Sequence, residues 1–432
     1  MHENLYFVES IISSDNENMM FQVTLSRTEN EETVFRVVEV NREQLIARNH
    51  NTEIREGWYI YYNETNDTEP FANGNFDRYA VEQIHENRRL REVLLEYQNE
   101  SYTIGLLKTR TRFLNNNKNV KVFSYHINVG HGNCSLILSV EKIPEKINNY
   151  WLTMIDCSDY DYTNKKHHKS NIEDCFDEIA NKINIKKENI HINLFLLTHF
   201  HYDHCSGMEY LVKSGYINHN TIFYMNLHYQ MASKTVNRIL ACLFNIKATI
   251  IEPINTNIRK TSFMEILYPE CSIFMSKKHV PKGYTNWRVE SKVNNSSVVY
   301  MLRLRNKTMV CPGDLEIEGF KLMTKKALCG HFLHITNYYA ISHHGSINGH
   351  PNLGCLNPKH KYSLITQCLA SKLEKAFILG RNGAYSGIYN PNVIAFFSKN
   401  PNVLLYTEKD GNNKQIKFFE LDWQNSNVTY YY

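Results

Sequence analysis

Residues 198–204 read Thr-His-Phe-His-Tyr-Asp-His and follow the apolar run Ile192-Asn193-Leu194-Phe195-Leu196-Leu197. A buried strand ending in a polar loop is the local structure this predicts. Three imidazoles and a carboxylate within one short loop, His199, His201, Asp203 and His204, make a donor set for a zinc-class metal. In an extended segment side chains alternate with a period of two, so His199 and His201 point the same way and can chelate one ion. Asp203 repeats that direction, and His204, one residue on, can be turned toward a second ion. The chain holds 20 histidines in 432 residues, so a lone histidine here would mean little. Four donor residues in the order H-x-H-x-D-H behind an apolar strand mean a metal site.

At 42% hydrophobic and 21% charged residues the composition is ordinary globular material, long enough for two or three domains. A net charge of +4 permits a polyanionic partner without requiring one. No apolar stretch reaches the length of a membrane span, and the start lacks the order of a signal peptide. The ten cysteines are scattered singly from Cys134 to Cys368, the usage of reduced thiols, and a cytoplasmic location is expected. Glu3-Asn4-Leu5-Tyr6-Phe7 looks like part of a protease tag but continues with Val8 where a tag has Gln, and is read as native sequence.

Residues 1–118 alternate β-rich runs (20–25, 34–38, 58–62) with polar turns and end in a helical pattern over 80–98. A small β-rich N-terminal domain is expected, a recognition or partner module, with Asn115–Asn119 as the break before a second domain, 119–432. From residue 120 strands are expected at 121–129, 134–140, 151–156, 192–198, 221–227, 248–253, 297–304, 307–311, 337–342, 375–380 and 402–407. Helices fit near 170–183, 207–214, 232–244, 316–328, 362–373 and 391–398. Mixed elements of this kind suggest an α/β class with two sheets between helical layers.

Four further segments accompany the metal loop: Asn128-Val129-Gly130-His131-Gly132-Asn133, Met154-Ile155-Asp156-Cys157, Asn294-Asn295-Ser296-Ser297 leading to Gly313-Asp314, and Ser342-His343-His344-Gly345-Ser346. With these, the chain from about 120 to 422 resembles the metallo-β-lactamase fold superfamily, in its ComEC-type and phosphorylcholine-esterase-like branch. The resemblance implies an αββα sandwich behind the N-terminal domain. It implies two divalent ions, zinc first and manganese or iron as alternatives. His199 and His201 would hold one, Asp203 and His204 the other, Asp314 would bridge them, and His344 would close the second set unless His343 does. Asp156 would orient the loop from behind. Asn294-Asn295 stands where relatives carry a third histidine for the first ion, so Asn295, or His228 from a distance, is the candidate replacement there. His131 is a candidate substrate contact, with local hydrogen bonding as the default, and Arg381 a candidate anion contact.

The implied activity is phosphodiester hydrolysis by a metal-held hydroxide, with Asp203 and Asp314 orienting it and His343 protonating the leaving alkoxide. Nucleic acid is the leading substrate, weakly supported by the basic runs Arg88–Arg91, Lys108–Arg112 and Lys118–Lys121. A small phosphodiester, a nucleotide signal or phosphocholine-like ester, is the alternative. A catalytically weak metal-binding interaction module, with a protein partner on its N-terminal domain, is a third reading.

Overall fold

The computed structural model describes residues 4–15, 20–29, 32–96, 98, 100–115, 119–141, 149–227, 231–253, 260–269, 293–316, 319–320, 336–350, 373–385, 387–399 and 403–432. Two sheets dominate. The first has eight strands in the order 249–251, 222–224, 194–196, 149–157, 134–141, 120–127, 418–422, 428–431. Its first four strands are parallel and the rest antiparallel. The second has six, in the order 264–268, 299–304, 307–311, 338–340, 375–378, 404–406, parallel over the last four.

Period-two alternation sorts each strand's side chains into separate cores. In the strand 134–141, Leu136, Leu138 and Val140 join the core under the helices Lys169–Ile183 and Lys234–Asn245, whereas Ile137 points into the core between the sheets. In the strand 299–304, Tyr300, Leu302 and Leu304 face that same inter-sheet core, and Val299 and Met301 pack beneath the helix Pro391–Phe397. Helix, sheet, sheet, helix is the layer order that results, the αββα sandwich that the resemblance implies.

The N-terminal sheet has five strands in the order 32–41, 20–29, 5–15, 59–62, 71–73 and a small core of its own, with Tyr6, Val8, Val23, Leu25 and Ile60. Its other face is not free. Leu5, Phe7 and Tyr59 belong to the large core of the first sandwich sheet. Phe35 stacks on Tyr162 with centroids 4.6 Å apart and meets Tyr202 edge-on at 4.6 Å. The helix Arg78–Glu96 starts near the expected position and buries Leu90 and Leu94 of its apolar stripe, together with Ala80 and Asn87. Val81 is exposed and Asn87 is buried, its Nδ2 donating to the Met231 carbonyl at 2.7 Å and to Asn237 Oδ1 at 2.8 Å. A helix Glu100–Arg110 and the strands 264–268 and 428–431 had no clear signal in the sequence. The helix expected over 362–373 and most of that over 316–328 lie outside the described residues, as do His228 and residues 116–118 of the expected boundary. Among the described residues no helix is long and apolar enough to cross a membrane.

Candidate metal centre

The metal loop leaves the strand 194–196 between two parallel neighbours. Its backbone stays extended through His201 (φ −64°, ψ 148°) and then closes one helical turn, Tyr202–Cys205. The alternation expected from the sequence therefore holds for His199 and His201 only; the helical turn re-aims Asp203 and His204. Asp156, in a left-handed backbone at φ 52°, anchors the loop from the adjacent strand. Its Oδ1 accepts the Thr198 N–H at 2.7 Å, and its Oδ2 the Thr198 hydroxyl at 2.8 Å. The same Oδ2 lies 2.8 Å from His204 Nδ1, which fixes that nitrogen as the donor and turns Nε2 inward. His204 Nε2 then lies 3.2 Å from Asp314 Oδ1, and His199 Nε2 lies 3.0 Å from His201 Nδ1.

Asp314 comes from the second sheet, just past the strand 307–311. Gly313 has φ 58°, and a Cβ there would stand 2.6 Å from Thr198 Cβ, so only glycine lets the two loops touch. His343 and His344 both sit at φ 49°, a left-handed pair that costs on the order of 1–3 kcal/mol per residue. Hydrogen bonds hold them there: His343 N to the Gly313 carbonyl at 3.2 Å, Tyr389 N to the His344 carbonyl at 3.1 Å, and His344 Nδ1 to the Leu379 carbonyl at 2.6 Å. His344 Nε2 thereby reaches Asp203 Oδ2 at 3.2 Å and Asp314 Oδ2 at 3.4 Å. His343 turns to the opposite wall, with Nε2 3.4 Å from Asn294 Nδ2 and Nδ1 4.0 Å from Glu316 Oε1.

Six buried side chains thus form two overlapping donor groups. Asp203, His204, Asp314 and His344 make one, and His199, His201 and Asp314 the other, with donor atoms in each within 4.8 Å of one another. Their electrostatics differ. Burial pushes His199 well below the usual imidazole range and His201 down to about 4. For His204 and His344 burial acts in the same direction, but the carboxylates overrule it: His204 is held well above the usual range, and His344, beside Asp314 and Asp203, is raised to about 10. Burial would raise Asp203 and Asp314, yet the neighbouring imidazoles hold both well below the carboxylate range. His201 Nε2, His204 Nε2 and Asp314 Oδ1 are buried without a hydrogen-bond partner among the described residues. Orphaned nitrogen and oxygen donors converging on one space are what a divalent cation satisfies, so the residues present fit the implied ions.

Asn295 does not face this space. On the tight turn Val293–Ser296 its Oδ1 accepts the Gly319 N–H at 3.1 Å and its carbonyl accepts the Tyr268 hydroxyl at 2.9 Å. Successive residues of such a turn point about a third of a revolution apart, and it is Asn294 that lines the pocket, with Oδ1 buried and unpartnered. His131 enters the pocket with Nε2 3.2 Å from Asp203 Oδ2 and its ring 4.4 Å from that of His344. Arg381 is engaged elsewhere, donating to Asp161 Oδ2 at 2.9 Å and to Thr163 Oγ1. The remaining walls, Glu9, Ser10, Tyr162, Tyr202, Tyr385 and Ile388, were not foreseen. The space they leave is about 20 Å³, the scale of a single water.

No family model matches the chain, and no curated protein does. Among solved structures it is similar to a long-form RNase Z from yeast, at TM-score 0.37 and 10% identity over 72% of this chain and 42% of that one. It is similar to the metallo-β-lactamase fold protein YhfI from Bacillus subtilis, at 0.27 and 8% over 51% of this chain and 70% of that one. It is also similar to a diphosphatase of the PhnP family, at 0.31 and 10% over 66% of this chain and 94% of that one. The chain therefore spans less than half the length of the yeast enzyme.

Proposed function

We infer that this chain is a metal-dependent hydrolase acting on phosphodiesters, with two divalent ions, zinc first and manganese or iron as alternatives. The observation that carries the reading is Asp314, one buried carboxylate common to a three-residue and a four-residue donor group. Ions held by these residues would supply Lewis-acid charge at a phosphoryl group and would lower the pKa of a bound water toward neutrality.

The chain's own residues do the rest. Asp156 holds His204 in one tautomer, so its donor nitrogen needs no reorientation. Asp203 and Asp314 accept hydrogen bonds from the attacking water and set its direction. His131, against Asp203, keeps that carboxylate from rotating. His343 stands across the pocket from His344 and delivers the proton to the leaving alkoxide, with Asn294 beside it to orient the ring.

We favour a compact phosphodiester over a polynucleotide duplex, because Glu9 and Ser10 of the N-terminal sheet stand over the donor groups. The pocket is roofed, and of the basic residues just ahead of the sandwich Arg91 and Arg110 are engaged within the chain and Arg88 is in an exposed ion pair. Arg88 pairs with Glu92, Arg91 donates to the Leu227 carbonyl, and Arg110 to the Asn220 carbonyl. Metal analysis with a bis(p-nitrophenyl) phosphate assay in Zn²⁺, Mn²⁺ and Fe²⁺ tests the reading. Hydrolysis lost in Asp203→Ala and His204→Ala is expected; no turnover with metal content near zero in wild type overturns it. Weak, salt-insensitive binding to single- and double-stranded DNA is expected alongside.

A further inference from the structure

The pocket roof comes from the N-terminal sheet, and it is built by a defect in that sheet. Along the first strand, Leu5 and Phe7 point toward the hydrolase core, and Tyr6 and Val8 toward the sheet's own core. Pairing to the second strand joins Phe7 with Ser26, Val8 with Leu25 and Ser10 with Thr24, which leaves Glu9 as the extra residue of a β-bulge. A bulge suspends the alternation and re-aims side chains, and such bulges gather beside active sites. Here two consecutive residues, Glu9 and Ser10, both line the pocket that holds Asp203, Asp314, His343 and His344.

The roof is fastened on three sides. Thr24 Oγ1 lies 3.4 Å from the Tyr385 hydroxyl on the far wall. Glu56 joins the bulged strand to the asparagine turn, accepting the Ile11 N–H at 3.0 Å through Oε1 and the Val293 N–H at 2.8 Å through Oε2. Phe35 packs on Tyr202, inside the metal loop itself. Glu9 is 5% exposed, and among the described residues its one hydrogen bond is from Ser26 to Oε1. A nearly buried carboxyl beside the Asp203 charge is costly as pure scaffolding.

We propose that Glu9 is a substrate-contacting residue of the hydrolase, its carboxyl hydrogen-bonding an oxygen of the phosphodiester held above Asp203 and Asp314. Burial, opposed by Ser26 and reinforced by the charge of Asp203, raises the Glu9 pKa to about 7, in keeping with a carboxyl that offers a proton to an anionic oxygen. The N-terminal sheet is then a wall of the active site, and the substrate is one whose phosphodiester group passes beneath a carboxyl supplied by that sheet. This rests on the phosphodiesterase reading of the metal centre.

The test compares full-length, metal-loaded wild type with Glu9→Gln, Glu9→Ala and Ser26→Ala. The readouts are kcat/KM for bis(p-nitrophenyl) phosphate, binding of inorganic phosphate by calorimetry, metal content and Tm. Expected are unchanged metal content, kcat/KM within about threefold in Glu9→Gln, and a loss of at least tenfold in Glu9→Ala. Such a loss corresponds to about 1.4 kcal/mol, one neutral hydrogen bond. Phosphate affinity falls in parallel, and Ser26→Ala, which frees the carboxyl, gives an intermediate loss. Wild-type hydrolysis matched by Glu9→Ala overturns this inference alone. Phosphate binding that depends on Glu9, without hydrolysis by wild type, overturns the phosphodiesterase reading and leaves the Glu9 contact standing. If Glu9→Ala does not fold, wild-type kcat/KM and phosphate affinity in both Glu9→Gln and Ser26→Ala overturn it instead.

Discussion

The two donor groups share Asp314 but are built on opposite electrostatic plans. His199 and His201 sit in a region where burial keeps imidazoles neutral, and Asp314 is the only carboxylate in their group. Asp203, His204 and His344 form with Asp314 a knot of alternating charge in which carboxylates and imidazoles sustain each other. The first group is a pair of neutral nitrogens with one shared charge; the second brings a full carboxylate of its own and an imidazole braced by Asp156. The comparison teaches that the two sides of the centre are unequal: one has two imidazoles and a shared carboxylate, the other two imidazoles and two carboxylates.

Asp314→Ala breaks the comparison outright, because it removes the residue common to both groups. Loss of both ions is expected, with activity down on the order of a thousandfold or more, read by metal analysis and kcat. The single-group variants sharpen it: His201→Ala should retain about one ion per chain, whereas His204→Ala should lose both under the same chelator.

Asp156→Asn tests the bracing from behind. The amide can keep one hydrogen bond to Thr198 but loses the charge that fixes His204, and metal affinity should fall about 10–100-fold. A competition titration with a chromogenic chelator measures it; an unchanged affinity would mean that the two groups are equally braced.

The smallest effect separates loss of the ions from loss of the fold at acid pH. His126 is buried between Ser135 Oγ at 2.9 Å and Ser124 Oγ at 3.1 Å, and burial lowers its pKa to about 3. Above pH 6.5 it is neutral folded and unfolded and adds no pH dependence. As pH falls from 6.5 toward 3 the unfolded chain takes up a proton that the folded chain refuses, so stability drops. The slope is up to about 1.4 kcal/mol per pH unit. His126→Asn lowers stability throughout but removes that slope, which urea unfolding at several pH values will show.

The centre was legible where ligand chemistry and strand order coincide in sequence. His199, His201, Asp203 and His204 lie within one short loop and could be grouped by spacing, whereas Asp314 joins them only through the resemblance. The resemblance already favours His344 over His343; what the sequence does not announce is the left-handed pair that turns the two side chains to opposite walls. Asn294, and not the expected Asn295, lines the pocket, because the segment forms a tight turn that spreads successive side chains around it. Glu9 left no signal at all: its place depends on one unpaired residue between Val8 and Ser10, and on strands hundreds of residues away that the bulge happens to roof. The N-terminal sheet was expected as a recognition or partner module, yet one of its faces packs on the sandwich core, which composition cannot reveal.

Thr198 belongs to neither donor group, yet it is where the two halves of the sandwich are riveted. Its N–H and hydroxyl go to Asp156 in the first sheet, its carbonyl accepts the Val298 N–H at 2.8 Å from the second, and Gly313 rests against its side chain. Tyr300 adds a crossbar, its hydroxyl donating to the carbonyls of Leu197 and Tyr224. The spacing between the two donor groups is therefore a gauge cut into main chain, and a slip of one sheet over the other would carry Asp314 and His344 away from His199, His201, Asp203 and His204.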